Sequence, residues 1–333
     1  MRVLRHVAVV LGIGVTAYLG WHNSPFVAAI AAPTDARGSA SARFGLELGG
    51  ASAGGLNSVE GGNASADVVV ERIGPDRIPK KHAGATKYED VTIEFGAGVS
   101  KPMLQWMKDT LDLKYPRQNG AIVESDMNGT ERGRLTFSNA LLTEIGFPAL
   151  DAASKDLAKM TVKFSPELTR MITAAGKQQG AGNAAVQKRW LPANFRLTID
   201  GLDCTQVSKV DALVIKQKVT QNAVGQGRDF QKEPTALEYP NLVVTLAESR
   251  AKSFYDWHES FVVKGQNGDD KEKNGTLEYL SANTQEVLFT LTFKRLGIVK
   301  LAPEKVEANS EAVRRVKAEM YVEQMQFSYS STF

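Results

Sequence analysis

"FGLELGG" (44–50) and "FRLTIDG" (195–201) follow one plan. Each alternates apolar and polar residues, the period-2 pattern of a half-buried strand, and each closes on glycine. Each stands 44 residues before a tyrosine, Tyr88 or Tyr239, and eighteen residues past each tyrosine comes a tryptophan, Trp106 or Trp257. The offset between copies is therefore 151 residues at three anchors. Further on, Phe137 precedes Ser154 by 17 residues and Phe293 precedes Ser310 by 17, an offset of 156. Most of the five extra residues fit the charged turn "GQNGDDKEKNG" (265–275), where an insertion costs little. Anchors held in order, with insertions confined to turns, mark a module written twice.

Both copies read the same way. "VTIEF" (Val91–Phe95) and "LVVTL" (242–246) are β-branched runs that predict strands. Ser100 is placed to cap a helix in which Leu104, Met107 and Leu111 share a face; Ser249 is placed to cap one in which Phe254, Trp257 and Phe261 repeat that spacing. The pairs Asn119-Gly120 and Asn274-Gly275 predict turns opening the strands "AIVES" and "TLEYL". "GRLTFSNA" (133–140) and "VLFTLTF" (287–293) continue as strands. A last strand points Met160, Val162 and Phe164 inward, matched by Val316, Ala318, Met320 and Val322. The fold class is α+β, mainly β: two tandem antiparallel β-barrel or sandwich modules, each with one amphipathic helix. Their predicted limits are residues 33–172 and 192–333, joined by a linker at 173–191 in the Gly-rich, weakly periodic stretch "TAAGKQQGAGNAAVQKR" (173–189). The small-residue stretch 49–66 reads as a flexible loop.

Residues 1–32 read differently. Arg2 and Arg5 precede an apolar run and then "FVAAIAAP", the order of a secretory signal peptide with small residues at Ala29 and Ala31 before a cut. An uncleaved anchor and a mis-assigned start remain alternatives, so the expected location is exported or periplasmic with a genuine signal, and cytoplasmic otherwise.

Composition narrows the function. The 333 residues carry 40 Lys+Arg against 37 Asp+Glu, a net charge of +3, which leaves no electrostatic footprint for nucleic acid or an anionic membrane. One cysteine, Cys204, excludes an intrachain disulfide framework and a Cys-based zinc site, and it reads as a small buried hydrophobe. Beyond residue 32 the histidines are His82, read in a loop, and His258, read on the helix surface beside Trp257; they match no metal-ligand spacing. "GAG" (96–98) sits between strand and helix but lacks the rest of a phosphate-loop pattern, and reads as a turn. "DDKEK" (269–273) reads as a solvated hairpin tip rather than a calcium site. The sequons at Asn63, Asn128 and Asn274 are what Asn-Gly-rich turns produce freely. Trp106 and Trp257 read as core anchors. No catalytic, cofactor-binding or metal residue is assigned.

The run from Tyr88 to about Arg170 resembles the tail tube proteins of contractile phages and phage-derived injection systems. The features are the strand Val91–Phe95, the helix around Trp106, "RQNGAIVESDMNG" (117–129), "FSNA" (137–140) and "LDAAS" (150–154) before the last strand. Leu141 and Leu142 replace the Trp-Pro often found after "N-A" in that family, and the second copy keeps only spacing and Ser310. The resemblance implies a structural protein with no enzymatic activity. Its six-domain rings would stack around a channel for DNA or effectors, with sheath and baseplate proteins as partners. DNA enters only as channel cargo, without sequence-specific binding. Two modules per chain imply a trimer of pseudo-sixfold appearance, and the 49–66 stretch would reach a neighbouring ring. The competing reading is an exported two-domain β-rich binding protein that reuses the tube module.

Overall fold

The computed structural model describes residues 43–72, 74, 78–96, 99–126, 129–173, 190–222, 230–305 and 313–330. The signal-peptide reading, residues 174–189 of the linker, the turn at 97–98, Asn128 and Ser310 lie outside the described residues.

The first half runs β1 (Arg43–Leu48), β2 (Ala51–Leu56), β3 (Ser58–Gly61), β4 (Ala64–Glu71), β5 (Lys80–Tyr88), β6 (Val91–Phe95), helix α1 (Lys101–Leu111), β7 (Gln118–Ser125), β8 (Glu131–Phe147), the short β9 (Leu150–Asp151), β10 (Met160–Ser165) and β11 (Leu168–Thr173). The second half runs β12 (Phe195–Ile199), β13 (Val207–Val210), β14 (Leu213–Asn222), β15 (Gln231–Glu238), β16 (Leu242–Ala247), α2 (Lys252–His258), β17 (Lys273–Leu280), β18 (Val287–Pro303) and β19 (Arg315–Tyr329). Among the described residues every strand pairing is antiparallel, and the two halves use one strand order. It is β1-β7-β8-β10-β6-β3 in the first half and β12-β17-β18-β19-β16-β13 in the second. β19 does alone what β10 and β11 do together; Pro166, without an N–H to give a ladder, stands at the break.

Register confirms the duplication residue by residue. Leu48 lies opposite Gly120 as Ile199 lies opposite Gly275. Gly120 in turn faces Phe137, and Gly275 faces Phe293. Val91 pairs with Phe164 as Leu242 pairs with Met320. Trp106 and Trp257 occupy the same place, on the helix after the equivalent strand, and each indole donates to a carbonyl of the following loop, Pro116 at 3.0 Å and Lys271 at 3.3 Å. The inward residues predicted for both helices and both last strands are buried.

Four local expectations are corrected. Residues 49–66 are not a loop: β2 and β3 occupy most of it. Gly49 and Gly50, with φ of +57° and +81°, form the two-residue turn of the β1–β2 hairpin, and Ala53 and Leu56 enter the core. Asn119-Gly120 and Asn274-Gly275 are not turns but lie inside β7 and β17. Each asparagine side chain accepts the N–H of the residue at the bend of the next strand, Asn139 (2.8 Å) or Arg295 (3.3 Å), whose φ is +50° or +54°. Neither Ser100 nor Ser249 caps with its side chain. Ser100 Oγ donates to the Ser52 carbonyl at 2.9 Å, and Ser249 sits in a 3₁₀ turn before α2, whose N-cap position is the buried Ala251. His82 lies in β5, not in a loop.

The glycine of each Asn-Gly pair is there for close approach. A Cβ on Gly120 would stand 2.1 Å from the Glu47 carbonyl oxygen and 2.6 Å from the Phe137 ring. Gly120→Ala is therefore expected to lower stability by about 1–3 kcal/mol through overpacking. Gly133→Ala on the adjoining β8, where the nearest atom would be 3.4 Å away, should change little. Urea unfolding of the two variants checks the contrast.

Candidate assembly interface

What the two halves do to each other is the most informative surface of the molecule. Residues 40–333 form one compact unit, and strands from one half complete sheets of the other. β14 adds to the edge of β8 with Leu213, Val214, Ile215 and Lys216 opposite Phe147, Gly146, Ile145 and Glu144. β9 adds to β13, with an Asp151–Lys209 ion pair of 3.0 Å. Edge strands expose unpaired N–H and C=O groups, so each addition satisfies backbone that would otherwise need water or a partner.

Beyond its pairing with β8, the hairpin of β14 and β15 reaches across the first half and seats Lys232 there. Its side chain is 5% exposed, Nζ donates to Ser165 Oγ at 2.7 Å, and Asp90 lies 3.9 Å away. Burial pushes the Lys232 pKa down, while the Asp90 and Glu167 charges oppose that shift. The backbone is held as well: Lys232 N–H donates to Glu167 Oε1 at 2.8 Å, and Arg117 donates to the Lys232 carbonyl at 2.7 Å. Glu167 Oε2 accepts from Asn139 Nδ2 at 2.8 Å, so the bend of β8 and the seated hairpin share one carboxylate.

Apolar packing crosses the same joint. Phe147, at the end of β8, sits 5.9 Å from Tyr279 and 5.8 Å from Phe327, both of the second half. Trp190 adds to that group, 5.3 Å from Tyr279. Burial raises the Tyr279 phenol pKa strongly. Aromatic clusters of this kind supply large buried area in specific edge and tilted geometries. At the far end of β19, Tyr329 Oη donates to Gln105 of α1 at 2.8 Å.

The residues singled out in the sequence take other places. Trp106 and Trp257 lie in the cores of separate halves, the first 5.7 Å from Phe164 and the second 5.8 Å from Phe261. Cys204 packs partly buried against the core, and burial pushes its thiol pKa up to about 11, which keeps it protonated at neutral pH. His82 is 3.8 Å from Glu71 on the β4–β5 hairpin, far in sequence from His258 at the end of α2. Among the described residues no group of three or more His, Cys, Asp or Glu could hold a metal ion. Sequence reasoning missed Lys232, Glu167 and Phe147. The first two carried a signal: Lys81 and Lys232 match at the 151 offset, as Glu167 and Glu323 do at 156.

Comparison with known proteins follows the same division. The family of T4-like virus tail tube protein gp19 matches residues 40–168 and again 191–326. Solved structures each align with about two-fifths of the chain. The sheath–tube complex of the extracellular contractile injection system PVC is 23% identical over 40% of this chain and 89% of that one, with a TM-score of 0.35. The anti-feeding prophage baseplate is 13% identical over 41% and 92%, with a TM-score of 0.34. Hcp1 from Flavobacterium johnsoniae is 15% identical over 41% and 95%, with a TM-score of 0.25. No curated protein matches. With the family pattern matched over most of the chain, and matched twice, the chain belongs to the T4-like virus tail tube protein family as a tandem duplication, and it is a structural tube subunit.

Proposed function

We propose that three chains close one ring of the tube, their six halves standing at six pseudo-equivalent positions. The observation that supports this is the joint inside the chain: the second half adds a strand to the edge of the first, and the two halves are copies of one another. A contact that is head-to-tail between like units builds a ring when its rotation closes and a helical filament when it does not, and the ring is the outcome proposed. Rings of this kind stack into a tube with a lumen for DNA or effectors, and sheath and baseplate proteins are the expected external partners. Electron microscopy of the purified protein should give threefold rings of pseudo-sixfold appearance, and native mass spectrometry should give multiples of three chains. A monomer persisting at high concentration would favour the exported binding protein. A ring of six chains would place one half of each outside the wall.

Residues 1–32 are proposed to direct export, on the basic–apolar–small order of their sequence. Expression from Met1 in a bacterial host should yield a product shortened near Ala31, measured by intact mass of the periplasmic fraction. A full-length cytoplasmic product would defeat that reading.

A further inference from the structure

We infer that the joint between neighbouring chains places residues 62–65, the entry into β4 of one chain, along the 300–303 edge of β18 of the next, with Glu323 accepting the backbone N–H of Lys81. This rests on the ring proposed above, and it follows from carrying the internal joint through the duplication. The six pairs of β14 and β15 each recur in β4 and β5: Gln221 faces Lys232 as Val70 faces Lys81, and both hairpins shift register at the same point, after Gln217 and after Ala66. β8 corresponds to β18 in the same way, including the irregularity that precedes Glu144 in one and Lys300 in the other.

Of the segment in the predicted joint, Gly62 is buried in its own chain, and Asn63, Ala64 and Ser65 are exposed. All eight residues of β4 are exposed, and β4 and β5 form a two-stranded sheet by themselves, whereas β14 alternates buried and exposed residues against β8. Val68 and Val70 of β4 are 66% and 51% exposed, an apolar face on an edge strand. On the receiving side, Glu167 is 12% exposed beneath its hairpin while its counterpart Glu323 is 47% exposed. Glu323, Gln324, Lys294 and Arg295 line a groove of 480 Å³ at the position that the hairpin covers in the first half. Arg295 holds one Glu323 oxygen at 3.3 Å, the role Asn139 plays for Glu167. Carrying the internal pairing through the offsets sets Gly62, Asn63, Ala64 and Ser65 opposite Pro303, Ala302, Leu301 and Lys300.

The two joints are not equal. Tyr321 stands where Ser165 receives Lys232, and its hydroxyl is already donated to Glu272 at 2.5 Å; Pro303 stands where Phe147 enters the aromatic group. The joint between chains keeps the strand addition and the Glu–Lys backbone contact but loses the buried lysine and the aromatic plug. Rings therefore part between chains, never within one.

Paired cysteines test the register. Opposed residues of antiparallel strands have Cα atoms about 4.5–5.5 Å apart, within the reach of a disulfide. In a Cys204→Ser background, Ser65→Cys with Lys300→Cys replaces two exposed residues and should give covalent dimers and trimers after mild oxidation, and neither single variant should give trimers. Glu323→Ala should weaken chain association roughly tenfold or more, as expected for loss of a hydrogen bond to a charged group. Rings that form yet give no cross-link, or that ignore Glu323→Ala, would overturn this joint and leave the tube reading standing. Absence of rings in the unsubstituted protein would instead sink the ring itself.

Discussion

Trp106→Ala is expected to destabilise the first half by about 3–5 kcal/mol, the range for removing a large aromatic side chain from a closed core. Trp106 is 1% exposed, and it sits on α1 with Met103, Leu104, Met107 and Leu111, all fully buried beside it. Its ring packs 5.7 Å from Phe164, which in turn lies 4.7 Å from Phe137, so the indole joins the helix to both β10 and β8. Its N–H also holds the Pro116 carbonyl, fixing the chain between helix and β7. Trp257→Ala should cost less, toward the lower end of that range. That ring is 7% exposed, its helix is a short α-segment continued by a π-turn over Glu259–Val263, and one side carries the Lys273 ammonium at 5.4 Å. Urea unfolding monitored by tryptophan fluorescence decides it. Equal midpoints for Trp106→Ala and the unsubstituted protein would refute the anchoring role.

The duplication was legible because it rests on spacing, and spacing survives when side chains drift. Phe44 over Phe195 and Trp106 over Trp257 were enough to predict which strands and helices correspond, and the register follows them. The turn chemistry was harder to read. Asn-Gly is a strong local hairpin signal, yet tertiary demands outrank it here: Gly120 lets β1 pass close, and Asn119 serves the bend at Asn139. The true two-residue turn lies at Gly49-Gly50, the end of the opening motif, inside a stretch that small residues made look mobile. Ala53 is fully buried there. Its burial depends on β1 and β6 arriving from elsewhere, which local composition does not encode. The joint between halves was the least legible of all. Lys232 and Glu167 lie 65 residues apart, and each alone reads as an ordinary surface charge. They meet only because the β14–β15 hairpin lies across the first half, where Lys232 is buried.

Glu167→Ala should lower stability at that joint by about 1–3 kcal/mol, because it leaves the Lys232 backbone N–H and the Asn139 amide without their acceptor. One carboxylate there accepts the Lys232 N–H and the Asn139 amide, and Arg117 stands 3.9 Å away. Its loss also removes the lesser of the two charges that oppose the burial of the Lys232 ammonium, the larger being Asp90 at 3.9 Å. Lys232→Met tests the same group from the other side. It removes the buried charge with its desolvation cost and fills its place with apolar volume, while Asp90, 42% exposed, keeps water as a partner, so the change should cost little. The double variant should then lose less than Glu167→Ala alone would suggest when the two single effects are added, a coupling expected of residues in one network. Hydrogen exchange adds the spatial test. Amides of β14 and β15 should exchange faster in Glu167→Ala, while those of β16 and β19, deep in the second half, should keep their protection. Uniform loss of protection would mean that Glu167 supports the first half as a whole. A destabilisation below about 1 kcal/mol, the scale of an exposed ion pair, would mean that the hairpin is held by its strand pairing with β8, and that the Glu167 contact to the Lys232 backbone contributes little to joining the halves.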